Sequence, residues 1–189
     1  PISSHNMSVR FFHQNEEGIW IITNKGLFLM DSYTEKILSY YTVEQGLPTA
    51  NLNHLHEDKV GNFWLATKDG GLVKWNRQQN TFQQFTQEQG LSNNNLYAVY
   101  GDDYNQLWLP SDYGLMAFDK MTFIPQIYLP KNGIAHEEFN TYSHFQATDG
   151  TLYFGGLDGI SKFHPKDFYQ QETTSVPIYL TKVRALNGA

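Results

Sequence analysis

Two histidines lie two positions apart in the sequence, at His54 and His56. In a β-strand alternate side chains point to the same face, so both imidazoles can in principle reach one metal ion. A metal centre needs further ligands, and Asp58, which ends the same segment, stands where the repeat needs a turn residue. We therefore predict structural or surface histidines, with no bound metal and no other cofactor.

A second group that can do chemistry is the run His136, Glu137 and Glu138. It begins like the zinc-protease motif HExxH, but Asn140 stands where the second histidine is required, which excludes that reading. A glycosidase needs two carboxylates roughly 5 to 10 Å apart, and Glu137, Glu138 and Asp149 are available in this region. A carbohydrate-active or lyase site remains an alternative, but we predict no catalytic residue in this chain.

Composition removes several classes of partner. The net charge is −6 with only 13 Lys plus Arg, and the basic residues do not cluster, so the electrostatic footprint of a nucleic-acid-binding protein is missing. The absence of cysteine excludes disulfides and cysteine-ligated metals. The chain begins at Pro1 without a signal-peptide pattern, and we expect it to be part of a longer protein.

The elements that must position these residues come from an internal repeat. One large aromatic residue recurs every 44 or 45 positions, and each is followed by a glycine and then Leu or Ile. Tandem units of this length, rich in aromatics and turn residues, predict an all-β fold of propeller blades with four antiparallel strands each. The aromatics are Trp20, Trp64, Trp108 and Tyr153, and the glycine pairs are Gly26-Leu27, Gly71-Leu72, Gly114-Leu115 and Gly159-Ile160.

The second repeat shows its predicted strands best, at 52–57, 62–67, 71–76 and 81–85. The turns between them are Asp58-Lys59-Val60-Gly61, Lys68-Asp69-Gly70 and Arg77-Gln78-Gln79-Asn80, which are rich in turn formers. Residues 63–67 are apolar on both faces, as expected for a strand that lies between neighbouring blades. The shared repeat position of the tryptophans favours core packing over stacking on sugar rings.

The run from Asn53 to Leu72 resembles the two-component regulator propeller repeat, with its acidic turn, glycine, apolar residue, Trp and final Gly-Leu. Residues 101–111 follow the same pattern with Asn105 in place of the turn glycine and Ser111 in place of Thr. The resemblance covers about residues 8 to 165. It implies the periplasmic or extracellular sensing region of a bacterial transmembrane regulator, attached to a histidine kinase, hybrid kinase or diguanylate cyclase.

The family resemblance also predicts the domain organisation. Residues 1–172 are expected to form four blades, at about 8–51, 52–95, 96–140 and 141–172, as part of a seven-bladed ring. Residues 173–189 are expected to begin a β-sandwich called the three-tyrosine domain, whose first strand would be 176–183. An open stack of four blades exposes two aromatic sheet faces, so we expect two copies to pair or further chain to cover them.

Propellers generally bind ligands at one mouth of the central channel. Polar and aromatic residues at the start of each predicted inner strand are therefore the candidate ligand-binding residues, although asparagines there can instead bond neighbouring loop backbone. We predict a sensor of a small molecule or an oligosaccharide, with a protein-interaction scaffold as the alternative. The candidates are Asn51, Asn53, Asn95, Tyr97, Glu138, Asn140 and Tyr142.

Overall fold

Each sequence repeat folds into one small antiparallel sheet, and successive sheets stack as the blades of a β-propeller. A computed structural model describes residues 7–169. Three of its sheets have four strands and the last has three. The strands are β1 (Val9–Asn15), β2 (Gly18–Thr23), β3 (Gly26–Met30), β4 (Ile37–Tyr41), β5 (Leu52–Glu57), β6 (Phe63–Thr67), β7 (Leu72–Asn76), β8 (Thr81–Phe85), β9 (Tyr100–Gly101), β10 (Gln106–Pro110), β11 (Leu115–Asp119), β12 (Pro125–Tyr128), β13 (Phe139–Gln146), β14 (Leu152–Gly156) and β15 (Gly159–Phe163).

The predicted all-β fold is confirmed, and in the second repeat the predicted strands agree with β5 to β8 within one residue. We number the blades 1 to 4 in chain order; β1, β5, β9 and β13 are their inner strands. In blade 4, β13 begins at Phe139, two residues before the start that the sequence predicts for this blade. The sandwich domain expected at 173–189 lies outside the described residues.

The acidic turn after the inner strand explains why the repeat keeps its spacing. One carboxylate oxygen of Asp58 accepts hydrogen bonds from the backbone N–H groups of Val60 and Asn62, at 3.0 and 2.9 Å. Gly61 adopts a positive φ of 81° in this turn, and Asn105 adopts 65° at the same place in blade 3. Asparagine tolerates this conformation better than most residues, which is why the substitution is acceptable there.

The same carboxylate also holds the anchor tryptophan. The indole N–H of Trp64 donates to Asp58 at 3.0 Å, and that of Trp108 donates to Asp102 at 2.9 Å. A buried indole N–H needs an acceptor, and the fixed separation of six residues supplies one from within the same blade. In blade 4 both partners change together, because Ala147 and Tyr153 occupy the two positions.

The joins between blades are short capped turns. In the first two joins a Thr, at 42 or 86, caps a 3₁₀ turn whose last Gln bonds back to the Thr backbone. The third join has the same shape at Pro130–Asn132, with Asn132 bonding back to Leu129. All three turns end at a glycine with φ near 100°, a conformation that glycine adopts without strain.

Blades pack through two kinds of face. The anchor face carries the large aromatic of the second strand and points to the following blade; the receiving face points to the preceding one. Trp20, Trp64 and Trp108 are each at most 1% exposed in the three interfaces, which confirms their core role. Strand β6 is buried along its whole length, as the pattern of its residues predicts.

Blade 4 departs from the others. After β15 the chain forms a 3₁₀ turn at Pro165–Phe168, and Phe168 packs on Trp108 of blade 3 with ring centroids 4.9 Å apart. Tyr169 then stacks on Tyr104 at 4.2 Å. Among the described residues β15 is therefore the outermost strand of its sheet. Within residues 7–169, no helix has the length and apolar character needed to span a membrane.

Candidate functional site

The seven sequence-predicted site residues all lie at one end of the stack. We call it the upper end, where the inner strands begin, and call the opposite end, at the acidic turns, the lower end. Leu96 donates its N–H to the Thr67 carbonyl, and Phe139 donates to that of Ser111, so blades 3 and 4 begin their inner strands alike. Equivalent repeat positions are thus occupied by Asn51, Asn95 and Glu138, and by Asn53, Tyr97 and Asn140.

Asn53 is engaged in joining blades. It is 5% exposed; its oxygen accepts a hydrogen bond from the Arg10 guanidinium of blade 1, and its NH₂ group donates to the Leu96 carbonyl at 2.7 Å. Arg10 also donates to the Leu52 carbonyl at 3.1 Å. Asn53 therefore connects three successive blades, and both the oxygen and the NH₂ group of its amide are already hydrogen-bonded within the protein.

Asn95 and Tyr97 form a polar cluster with Asp112, which the sequence reasoning missed. The Tyr97 hydroxyl donates to one oxygen of Asp112, and the Asn95 NH₂ group donates to the other at 2.7 Å. Burial raises the pKa of Tyr97, and the nearby charges of Asp112 and Glu138 raise it further. The Tyr97 hydroxyl therefore stays protonated, and Asp112 belongs to the candidate site.

Pro110 explains how Tyr97 comes to be placed there. It occupies the last position of β10 and has no N–H to donate to the inner strand beside it. Residues 97–99 consequently leave the regular ladder, and β9 is reduced to two residues. The Val99 N–H is satisfied by the His54 imidazole of blade 2 at 3.3 Å instead. In sequence, the signal for this irregularity is a proline at the repeat position that Ile22, Ala66 and Gly155 occupy in the other blades.

Two amide oxygens at the upper end are buried without a partner. They belong to Asn51 and Asn95, at the same repeat position in adjacent blades. A buried acceptor without a hydrogen bond is costly, by about 1–3 kcal/mol. Glu138 supplies an exposed carboxylate at the equivalent position of blade 4. The exposed Glu138 carboxylate is therefore the acceptor that the upper end offers to a ligand with O–H or N–H donors, whereas the two amide oxygens are covered in this structure.

The inner strand of blade 4 bulges at the same end of the stack. Leu52 and Asp58 are six positions apart, whereas the equivalent Phe139 and Ala147 are eight apart, and the register of β13 shifts between Phe139 and His144. Tyr142 lies in the bulge with φ 67° and is 60% exposed. A left-handed backbone is strained for tyrosine, and bulges and such strain concentrate near functional sites.

The core near the lower end holds a histidine cluster built from blades 2, 3 and 4. The rings of His54 and His144 are 4.8 Å apart, and the Tyr100 hydroxyl lies 2.8 Å from His144 Nδ1. Burial lowers the pKa of His56 and of His144 to about 4, and lowers that of His54 well below its usual value. His56 and His54 both face blade 3, as their alternation predicts, with His56 against Gly101.

Within the described residues, the predicted candidates form no metal centre, and Glu138 and Asp149 do not come together as a carboxylate pair. Within residues 7–169, no group of three His, Cys, Asp or Glu side chains is arranged to hold a metal ion. Glu138 precedes β13 at the upper end, whereas Asp149 follows it beside a lower-end cavity of about 230 Å³. At about 3.3 Å per residue, the strand places them roughly 20 Å or more apart, too far for a glycosidase pair.

The fold is similar to several solved propellers. One is described as the extracellular domain of hybrid two component system BT3049 from B. thetaiotaomicron: 21% identity, 87% of this chain and 29% of that chain, TM-score 0.64. Another is the extracellular domain of one component system BT4673 from the same organism, with 19% identity and a TM-score of 0.70. The match covers 84% of this chain and 23% of that chain. A third is virginiamycin B lyase from Staphylococcus aureus, with 14% identity and a TM-score of 0.56. The match covers 82% of this chain and 55% of that chain.

These likenesses establish the β-propeller fold. The chain spans less than a third of the length of the two extracellular domains. No family model matches the chain, and no curated protein matches it.

Proposed function

We propose that this chain is part of the extracytoplasmic ligand-sensing region of a bacterial transmembrane signalling protein. It would lie on the periplasmic or extracellular side of the inner membrane, in a membrane-anchored parent protein. The proposal is supported by the likeness to extracellular domains of signalling systems and by the family resemblance of residues 8–165. The propeller would bind its ligand without chemical change.

The observation that carries ligand binding is the irregular upper end. Three features that break the repeat lie there: the polar cluster of Asp112, the exposed carboxylate of Glu138 and the exposed Tyr142. A tyrosine that is exposed and held by a bulge offers a rigid aromatic surface beside hydrogen-bonding groups. We infer a ligand with many hydroxyl or amide donors, such as an oligosaccharide or another nutrient-derived small molecule.

Isothermal titration calorimetry tests this proposal with a panel of oligosaccharides, amino acids and nucleosides. We expect one class of probe to bind, and we expect Tyr142→Ala and Asp112→Asn to weaken that binding at least tenfold. Tyr33→Ala is the matched control, because Tyr33 is 93% exposed on an outer turn of blade 1 and should leave the affinity unchanged. Equal affinities for all variants would place the ligand elsewhere.

A protein-interaction scaffold is the main alternative. In that case none of the small probes would bind, and substitutions on the surface of the blades would abolish binding of a protein partner.

The similarity to virginiamycin B lyase makes a propeller enzyme a further alternative. An enzyme would convert one of the probes, and this turnover would stop in the Glu138→Gln variant, since Glu138 is the exposed carboxylate at the upper end. Binding without turnover supports the sensor, and turnover that depends on Glu138 contradicts it.

A further inference from the structure

A carboxylate joins blades 1 and 2 near the lower end of the stack. The Glu57 carboxylate of blade 2 lies 2.8 Å from Nε2 of His13 in blade 1, and it accepts a hydrogen bond from the Asn15 NH₂ group at 2.9 Å. The guanidinium of Arg77, also in blade 2, lies 3.9 Å from the same carboxylate. The contact between these blades therefore places one carboxylate between a histidine and a cation.

The next interface, between blades 2 and 3, keeps the histidine and the cation at the same repeat positions. His56 takes the place of His13, because each pairs across its sheet with the anchor tryptophan of its blade. Lys120 takes the place of Arg77, because each directly follows the third strand of its blade. The carboxylate itself has no counterpart there.

Gly101 stands where Glu57 stands in the preceding blade, since each is the last residue of its inner strand. The ring of His56 packs where a Cβ on Gly101 would lie. Beyond this contact is the lower-end cavity of about 230 Å³, which is lined by Gly101, His56 and Lys120 among others. A cavity of about 150 Å³ holds benzene, so this one has room for a small organic molecule.

The two groups that could hold a carboxylate are unpaired within residues 7–169. Neither ring nitrogen of His56 hydrogen-bonds to another described residue, and no carboxylate lies within ion-pair distance of the Lys120 ammonium. After burial, the charge of Lys120 is the main cause that lowers the pKa of His56 to about 4, so the two groups lie close together. Neighbouring charges are engaged: Asp103 pairs with Lys59 at 2.7 Å, and both oxygens of Asp58 accept bonds within its own turn.

Other acidic side chains on the cavity wall limit the charge of a ligand. Asp102 and Asp149 accept hydrogen bonds from the backbone of their own turns, and both line the same cavity. A ligand with one carboxylate gains the Lys120 ammonium as a partner. A dicarboxylate or a phosphate would bring a second negative charge towards these aspartates, which is unfavourable.

We propose that the lower-end cavity is a second ligand site, which binds a small organic monocarboxylate. The carboxylate of the ligand takes the part that Glu57 plays between blades 1 and 2: it accepts a hydrogen bond from the His56 imidazole and pairs with the Lys120 ammonium. Because these two groups come from different blades, the bound acid links blade 2 to blade 3. The site lies at the opposite end of the stack from the proposed sensing site and does not depend on it.

Titrations of the purified chain with acetate, followed in ¹H–¹⁵N correlation spectra, test the site. We expect acetate to shift the Gly101 backbone amide and the His56 ring signals, and the neutral isostere acetamide to bind about tenfold more weakly or less. Lys120→Met should weaken acetate binding about tenfold by removing one charge-assisted bond. Lys131→Met is the matched control: it removes the same charge from an exposed turn at the upper end, so the affinity should not change.

Gly101→Glu complements these variants, because it supplies the chain's own carboxylate where blade 2 has Glu57. It should abolish acetate binding, and the dispersion of the same spectra shows whether this variant is folded. Should it unfold, the comparison of Lys120→Met with Lys131→Met decides the matter. Absence of any acetate-induced shift at Gly101 and His56, equal affinities for acetate and acetamide, or an unchanged affinity in Lys120→Met would each overturn the proposal.

Discussion

Acid should destabilise this protein between about pH 6.5 and pH 4, because its histidine cluster is buried in the neutral form. His56 and His144 have pKa values of about 4, against 6.5 in an unfolded chain. Below pH 6.5 the unfolded chain therefore binds more protons than the folded one, and stability falls with pH until about pH 4. Above pH 6.5 the contribution is fully present.

The size of the effect follows from the pKa differences. One pKa unit corresponds to about 1.4 kcal/mol, so lowering the pH from 7.5 to 5 costs about 2 kcal/mol for each of these two histidines. Together they remove about 4 kcal/mol, a large part of the roughly 5–15 kcal/mol that holds a typical domain folded. Burial of His54 acts in the same direction.

Urea unfolding followed by tryptophan fluorescence at pH 7.5, 6.5, 5.5 and 5.0 measures this loss. His144→Asn keeps an acceptor for the Tyr100 hydroxyl but removes one titrating group, so we expect its loss between pH 7.5 and 5 to be about 2 kcal/mol smaller. Tyr100→Phe is the control: it removes the hydrogen bond but keeps every histidine, so it should lower stability by a similar amount at each pH. An equal pH dependence in wild type and His144→Asn would refute the reasoning.

Three further substitutions test the packing at the same inner strands, each by urea unfolding at pH 7.5. Gly101→Ala should cost about 1–3 kcal/mol, since its new Cβ would overlap the His56 ring; no loss would mean that the ring moves freely. Asp102→Ala should cost about 2–3 kcal/mol, because it leaves the buried Trp108 indole N–H unpaired, whereas Asp102→Asn should retain most of that bond. Asn53→Ala should cost about 2–4 kcal/mol by removing the bond to Arg10 of blade 1 and leaving the buried Leu96 carbonyl of blade 3 without its partner, and a loss below 1 kcal/mol would contradict its joining role.

The sequence was sufficient to predict the features that recur in every blade and depend only on residues of that blade. The aromatic anchors, the turn glycines and the strands of blade 2 depend on local propensity and burial, which recur with the period. The bond from Trp64 to Asp58 was missed, because the turn already accounts for the aspartate. The two residues are nevertheless six positions apart in blades 2 and 3, and that constant spacing was the available signal.

Contacts between blades were harder to predict. The role of Asn53 depends on groups more than forty residues away on both sides, and no pattern within one repeat indicates them. Asp112 enters the site only because Pro110 releases the neighbouring strand from the ladder. The candidate site residues lie at one end of the stack, because equivalent repeat positions must lie side by side. Which of them bind a ligand stays a prediction.

The start of the third inner strand is fastened mainly to another blade. Between Leu96 and Val99 it bonds to Asn53 and His54 of blade 2, and it meets its own sheet chiefly through the Tyr97 N–H and the Leu96 bridge. A displacement of the Tyr97 side chain, for example by a ligand, would therefore move blade 2 more than it would distort the sheet of blade 3. Such a linkage lets an event at one end of the molecule change the angle between two blades while each sheet keeps its own hydrogen bonds.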